Sequence, residues 1–156
     1  NQPAQHMLYL YNWAGQPWKA QKWIREVMDR LYSSSPDGYC GDEDNGQTSA
    51  WYIFSALGFY PVCPGADQYV LGTPLFEKAE IQLENGKTVT IDAHGTGCGP
   101  YVRKMMLNGE VWDHNYINYD DLLNGAKIEF TLGCMPDLER GTKEEDKPYS
   151  YSTSLK

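Results

Sequence analysis

Three consecutive carboxylates, Asp42, Glu43 and Asp44, lie between glycines in the stretch GDEDNG. Like charges this close raise one another's pKa, so holding them together is unfavourable. In an extended loop Asp42 and Asp44 point to one side and Glu43 to the other. Such a pair could activate a water molecule with one carboxylate and orient it, or bind a metal ion, with the second. The same residues could instead cap the next helix. The spacing leaves both interpretations open for residues 41–44, here called the acidic loop.

The opening stretch NQPAQH offers a second set of candidate ligands. Asn1 and Gln2 carry neutral oxygen atoms, and hard cations such as Ca²⁺ take several oxygen ligands from separated segments. From these residues alone, a plain helix start with Pro3 in its first turn is the favoured explanation. His6, on an aromatic helical segment, is expected to be a core or cleft histidine with satisfied hydrogen bonds.

Three helices are predicted to position these residues. The first covers residues 3–14, and the second covers 17–32 with apolar residues at three- and four-residue steps. The third covers 46–57 and ends at Gly58, with so little polar surface that we expect it to be enclosed. Charges held against an enclosed helix are not ordinary solvated surface, which favours a functional role for the acidic loop.

Beyond Pro61 the apolar pattern changes from helical spacing to alternation. Two Asn-Gly pairs are hairpin signals. Helices first and antiparallel strands second make an α+β fold. The predicted strands lie near residues 69–71, 79–83, 89–93, 101–107, 111–112 and 127–132, with a helical turn at 120–123.

The sequence therefore divides into three parts. Residues 1–62 form the helical part with the acidic loop, and residues 63–135 form a small antiparallel β module. Residues 136–156 are polar, with no apolar face to bury, and we expect this tail to be mobile or to wrap around the rest.

Composition removes several classes of function. A formal net charge of −8 and no basic stripe argue against nucleic-acid binding. No apolar run approaches the roughly 20 residues that span a membrane. The chain opens on Asn1 rather than Met, directly before a helical pattern, so we expect it to come from a longer polypeptide.

The four cysteines are widely spaced and form no Cys/His cluster, which gives little support to a zinc site. Buried or partly buried free thiols are slightly favoured over disulfides. The cysteines are Cys40, Cys63, Cys98 and Cys134.

Three ordered motifs resemble the C-terminal part of glycoside hydrolase family 92. They are NQPAQHMLYLYNWAGQPWKAQKWIREVMDRLY, PDGYCGDEDNGQTSAWYIFSALGFYPVCPG and YVLGTPLF. The resemblance is dense over residues 1–76 and looser through the β module. It implies an exo-acting, calcium-dependent, inverting bacterial α-mannosidase, secreted, periplasmic or at the cell surface. It also implies that the helices are the last ones of an (α/α)6 barrel.

The resemblance also implies roles for single residues. Asp44 is the expected general base, with Asp42 assisting it. Asn1, Gln2 and Asp44 would contribute to the calcium site, and His6 would lie near the sugar pocket. Gln2 stands where many members have Glu, which removes one formal charge beside the metal. The resemblance further implies that the general acid is a glutamate upstream of this chain, in the N-terminal part of the same polypeptide.

Mannose-containing glycans are thus the expected partners, with α-1,2-mannosides favoured, although the determinants of linkage lie outside this chain. An alternative is a carbohydrate-binding or structural support module without catalysis of its own. In that case the β module would contact a sugar or another domain through its Tyr and Trp side chains.

Overall fold

A computed structural model describes residues 2–153 as helices followed by two small sheets. The chain starts with α1, continues directly as a 3-10 helix, and then forms α2 and α3. These elements are α1 Gln2–Gln5, the 3-10 helix His6–Asn12, α2 Pro17–Leu31 and α3 Gln47–Leu57. A short helix, α4, spans Tyr119–Leu123. Three further 3-10 turns span Asp44–Gly46, Glu144–Asp146 and Tyr151–Thr153.

The helical predictions agree with the structure to within a few residues, because their boundary signals are local. Pro17 occupies the first turn of α2, where its missing N–H group has no helical partner to lose. Gly58 ends α3 with φ of 101°, and its N–H group donates to the carbonyls of Phe54 and Ser55. That left-handed conformation favours glycine, so the helix stops there.

The strands form a three-stranded and a five-stranded sheet. The smaller sheet has the order β1-β2-β7, with β1 Phe59–Tyr60, β2 Gln68–Leu71 and β7 Tyr116–Asn118. The larger sheet contains β3 Lys78–Gln82, β4 Thr88–His94, β5 Tyr101–Leu107, β6 Glu110–Val111 and β8 Ala126–Gly133. Its order is β3-β4-β8-β5-β6.

Strand direction departs from the prediction of an antiparallel module in one place. Within residues 2–153, β4 and β8 pair in parallel, from Val89 opposite Ala126 to His94 opposite Thr131, whereas the other strand pairs are antiparallel. Hairpin signals fix the direction only of strands adjacent in sequence. Because β5, β6, β7 and α4 intervene between β4 and β8, no local turn determines their direction.

The helices and the larger sheet pack against each other. Gln21, which is 5% exposed on α2, accepts a hydrogen bond from the backbone N–H group of Val102 on β5 at 3.0 Å. Arg25 donates to the carbonyl of Pro74 at 2.6 Å. Apolar residues on α2 that face the interior, such as Ile24 and Met28, are almost fully buried. The helix α2, which precedes the acidic loop, is therefore held against the larger sheet.

The segment after residue 135 packs against the β strands as far as it is described. Asn115, 1% exposed, donates through its side chain to the carbonyl of Gly141 at 2.6 Å, and its backbone N–H group donates to Asp146 at 2.8 Å. The buried guanidinium of Arg140 donates to the carbonyl of Trp112 at 2.7 Å. These contacts are polar, which explains how a segment without an apolar face can still wrap around the module.

The prediction of free thiols is wrong for Cys98 and Cys134, which form a disulfide with a Cα–Cα distance of 5.0 Å. The fold brings the segment after β4 against the end of β8, and sequence spacing does not show that proximity. Cys40 and Cys63 are free, as expected, but both are exposed rather than buried.

None of the helices among residues 2–153 combines the length and the apolar character that crossing a bilayer would require.

Candidate functional site

The acidic loop lies on the surface between α2 and α3, with all of residues 41–47 exposed. Its three carboxylates are not equivalent. Glu43 turns back, and its Oε2 accepts a hydrogen bond at 2.9 Å from the backbone N–H group of Ser49 in the first turn of α3. The capping interpretation is therefore correct for Glu43, because that N–H group has no partner within the helix.

The carboxylates of Asp42 and Asp44 do not cap α3. Both are exposed, and neither accepts a hydrogen bond or joins an ion pair within residues 2–153. An exposed carboxylate without a competing partner can accept a proton from water, which is the chemistry of a general base. The loop thus separates one carboxylate that contacts α3 from two exposed ones that do not.

The backbone reverses sharply between the acidic loop and α3. Asn45 and Gly46 have φ values of 57° and 73°, two successive residues in the left-handed region. Asn tolerates this region better than most residues, and Gly adopts it without strain. The sequence Asn-Gly therefore allows a tight reversal that leaves the carboxylate of Asp44 outside the helix.

Two glutamines of α1 hold the loop through its backbone. Gln2 Nε2 donates to the carbonyl oxygen of Asp44 at 2.6 Å. Gln5 Nε2 donates to Thr48 Oγ1 at 3.1 Å, and Thr48 Oγ1 donates to the carbonyl oxygen of Asp42 at 2.9 Å. Residues three apart lie on the same side of a helix, so one turn of α1 supports both ends of the carboxylate sequence.

A cluster of tyrosine and tryptophan rings lies next to Gln5, one of the residues that hold the acidic loop. Tyr32 stacks on the fully buried Trp51 with a centroid distance of 5.5 Å and also contacts Tyr39 and Tyr52. Burial raises the pKa of Tyr32 to about 12, although its hydrogen bond with Gln5 opposes that change. Tyr32 therefore keeps its phenolic proton at neutral pH, and it adds no further negative charge beside the loop.

The other predicted site residues have different outcomes. His6 is exposed, so of the two expected environments, a core and a cleft, the core is wrong. It begins the 3-10 helix directly after Gln5, so it adjoins the helix α1 that supports the acidic loop. Asn1 lies outside the described residues.

The metal-ligand set is the least complete part of the site. Across residues 2–153, no three His, Cys, Asp or Glu side chains come together in a way that could hold a metal ion. Gln2 nevertheless donates to the backbone carbonyl of Asp44, so its amide lies beside the residue that carries this carboxylate. Both are oxygen-bearing groups of the kind that Ca²⁺ selects.

Sequence reasoning missed Gln5 and Thr48, which are 6% and 2% exposed. In the opening stretch the sequence predicted roles for Asn1, Gln2 and His6 but not for Gln5. Thr48 lies in the third predicted helix, which has little polar surface. The available signal was the spacing of Gln2 and Gln5, which places two amides on one side of a helix that begins at residue 2.

Comparison with known proteins identifies the family. A family model described as the glycosyl hydrolase family 92 catalytic domain matches residues 1–134. An uncharacterized secreted glycosidase of Arthroderma benhamiae is 28% identical over 160 residues, covering 100% of this chain and 20% of that protein.

Two solved structures from Bacteroides thetaiotaomicron are also similar. The family GH92 inverting mannosidase BT2199, from strain VPI-5482, is 51% identical with a TM-score of 0.90, over 97% of this chain and 21% of that one. The family GH92 alpha-mannosidase BT3965, in complex with mannoimidazole, is 39% identical with a TM-score of 0.93, over 97% of this chain and 20% of that one.

This chain thus spans about a fifth of the length of these relatives. The family match covers most of the chain, and the structural similarity extends over both the helices and the sheets. The resemblance found in the three sequence motifs is confirmed, and the chain belongs to glycosyl hydrolase family 92.

Proposed function

We propose that this chain is part of a glycosidase that releases terminal mannose from α-mannosides, and that its acidic loop activates the attacking water. The observation that carries the proposal is the separation of roles within the loop. Glu43 binds the N-terminus of α3, while Asp42 and Asp44 remain exposed on a backbone held by hydrogen bonds. Two relatives named as mannosidases support the choice of sugar.

In this proposal Asp44 is the general base and Asp42 assists it by orienting the water. An inverting glycosidase needs a general acid about 6.5–9.5 Å from the base, with room for water between the base and the sugar. We assign that acid to a glutamate elsewhere in the polypeptide. The 156-residue chain alone should therefore release no mannose.

We propose Ca²⁺ as the cofactor, with Asn1, Gln2 and Asp44 contributing ligands. Ca²⁺ takes about six to eight oxygen ligands, so Gln2 and Asp44 fit the donor type and supply only part of the set. An amide binds a cation through its oxygen, so Gln2 would contribute Oε1. When bound, the ion would hold the mannose hydroxyls at positions two and three. His6, on the adjoining 3-10 helix, would contact the sugar.

The two sheets have a supporting role in this account. Gln21 and Arg25 tie α2 to β5 and to the chain after β2, so the sheets brace the helices that carry the site. We propose that these helices close an (α/α)6 barrel in the whole enzyme. This role explains the β module without a second catalytic centre.

We propose a secreted, periplasmic or cell-surface location in a bacterium. A similar protein is named as a secreted glycosidase, and the exposed Cys98–Cys134 disulfide suits an oxidising compartment.

The proposal is tested by following hydrolysis of an α-mannoside by the full-length enzyme with proton NMR. Attack by water on the face opposite the leaving group must release β-mannose first, before mutarotation mixes the anomers. A panel of α-1,2-, α-1,3- and α-1,6-linked mannobioses then tests the proposed α-1,2 preference. Release of α-mannose first, or no hydrolysis of any α-mannoside, would contradict the proposed function.

A further inference from the structure

One hydrogen-bonded attachment of the acidic loop leads to buried side chains. All of residues 41–47 are exposed, but Thr48 and Gln5 are 2% and 6% exposed. Their hydrogen bonds connect α1 to the carbonyl oxygen of Asp42 through Thr48 Oγ1. The bond from Gln5 to Thr48 is buried and the bond from Thr48 to Asp42 is partly buried, whereas the contact from Gln2 is exposed. Water therefore competes less with this connection than with the surface contact.

The direction of this connection is fixed by its last acceptor. A backbone carbonyl can only accept, so the single hydroxyl proton of Thr48 points to Asp42. The hydroxyl oxygen is then free to accept, and the group facing it from Gln5 must be a donor, which is Nε2. An amide satisfies this requirement, whereas a carboxylate or an apolar side chain at position 5 does not.

We infer that Gln5 and Thr48 are positioning residues for the proposed reaction, because they hold the backbone at Asp42. The position of that backbone in turn determines where the exposed carboxylates of Asp42 and Asp44 lie. This inference rests on the proposed role of the acidic loop. Neither residue contacts substrate in this account. Their effect comes from geometry, because a displacement of about 1 Å at a reacting group can cost roughly 10²-fold in rate.

The test compares Thr48→Val with Thr48→Ser in the full-length enzyme. Valine keeps the shape of threonine and removes the hydroxyl, whereas serine keeps the hydroxyl. We expect Thr48→Val to lower kcat by about 10- to 100-fold with KM changed less than about twofold, and Thr48→Ser to keep kcat within about threefold. Equal kcat for Thr48→Val and wild type, or equal losses for valine and serine, would overturn the inference.

A double-mutant cycle tests whether Gln5 acts through Thr48. Gln5→Met keeps the side-chain length and removes the amide. If both residues serve one connection, adding Gln5→Met to Thr48→Val should lower kcat by less than about twofold more. Additive losses of kcat would show that Gln5 does not act through Thr48 and would contradict the proposed connection.

Thr142→Val is the matched control, because Thr142 Oγ1 also donates to a backbone carbonyl, that of Glu139, at 2.8 Å. It lies in the C-terminal segment, so its loss should leave kcat unchanged and alter thermal stability only. Asp44→Asn tests the proposed function of the acidic loop separately from the positioning role of Gln5 and Thr48. Loss of activity in Asp44→Asn with normal kcat in Thr48→Val would contradict the positioning role alone. Normal activity in Asp44→Asn would contradict both the positioning role and the proposed function.

Discussion

Gln5 Nε2 lies 3.1 Å from Thr48 Oγ1, although 43 residues separate the two in the sequence. This contact joins the first helix to the helix that follows the acidic loop. Within residues 2–153 it places the most buried polar attachment of that loop on a side chain of the opening stretch. The two features that drew attention in the sequence, NQPAQH and GDEDNG, are therefore one structural unit.

Removing the disulfide should destabilise the β module without affecting the acidic loop. Cys98 and Cys134 close a loop with a sequence separation of 36. Constraining the unfolded chain over a loop of this length contributes about 2–4 kcal/mol. We expect Cys98→Ser with Cys134→Ser to lower the free energy of unfolding by that amount in urea titrations. Serine in place of the free Cys63 is the control, and an equal loss in both would contradict the assignment.

The packing of the C-terminal segment against the rest of the fold should depend on Asn115. Its side chain donates to the carbonyl of Gly141, and its backbone N–H group donates to that of Asp146. Asn115→Ala leaves the buried Gly141 carbonyl without a donor, and we expect a loss of about 1–3 kcal/mol. Hydrogen exchange near residues 141–146 should also become faster. Unchanged protection there would show that Asn115 does not anchor the segment.

Alkaline pH should destabilise the fold through Tyr32. The pKa of its hydroxyl is raised by burial to about 12 from an ordinary value of 10.0. The unfolded chain therefore releases this proton at a lower pH than the folded one, and ionisation favours unfolding. The stabilisation is complete below pH 10 and declines as the pH rises towards 12. Tyr32→Phe should make the fall in unfolding free energy shallower over that window, whereas an identical slope in both proteins would argue against a buried hydroxyl.

Calcium should bind the full-length enzyme and stabilise it. A ligand that binds only the folded state raises stability as its concentration exceeds the dissociation constant. We expect chelation to lower both the melting temperature and the rate, and added Ca²⁺ to restore both. The readout of melting temperature separates binding from catalysis. Chelated enzyme with full activity and an unchanged melting temperature would exclude the proposed cofactor.

Local signals in the sequence were sufficient for the helices and for the strands of the larger sheet, but not for β1 and β7 of the smaller sheet. Pro17 and Gly58 mark helix ends by their own backbone preferences, and the Asn-Gly pairs mark hairpins. The parallel pairing of β4 with β8 could not be predicted, because it joins strands separated by other elements. The disulfide was missed for the same reason, since Cys98 and Cys134 become neighbours only through that sheet.

The site was predicted unevenly. The acidic loop was identified by its charge, and the cap and the exposed carboxylates proved to coexist because Glu43 alone turns back to α3. Gln5 and Thr48 were missed, since their importance comes from a contact between α1 and α3 rather than from their residue types. The roles of Asp42, Asp44 and His6 stay predictions.

The most direct test of the central claim is the turnover of Asp44→Asn beside Glu43→Gln in the full-length enzyme. Asparagine cannot act as a base, so kcat should fall by roughly 10²–10⁴-fold. Glutamine at position 43 can still accept the hydrogen bond from Ser49, so that variant should turn over α-mannosides at close to the wild-type rate. A normal kcat for Asp44→Asn, or an equal loss in both variants, would contradict the claim that this loop activates water through Asp44.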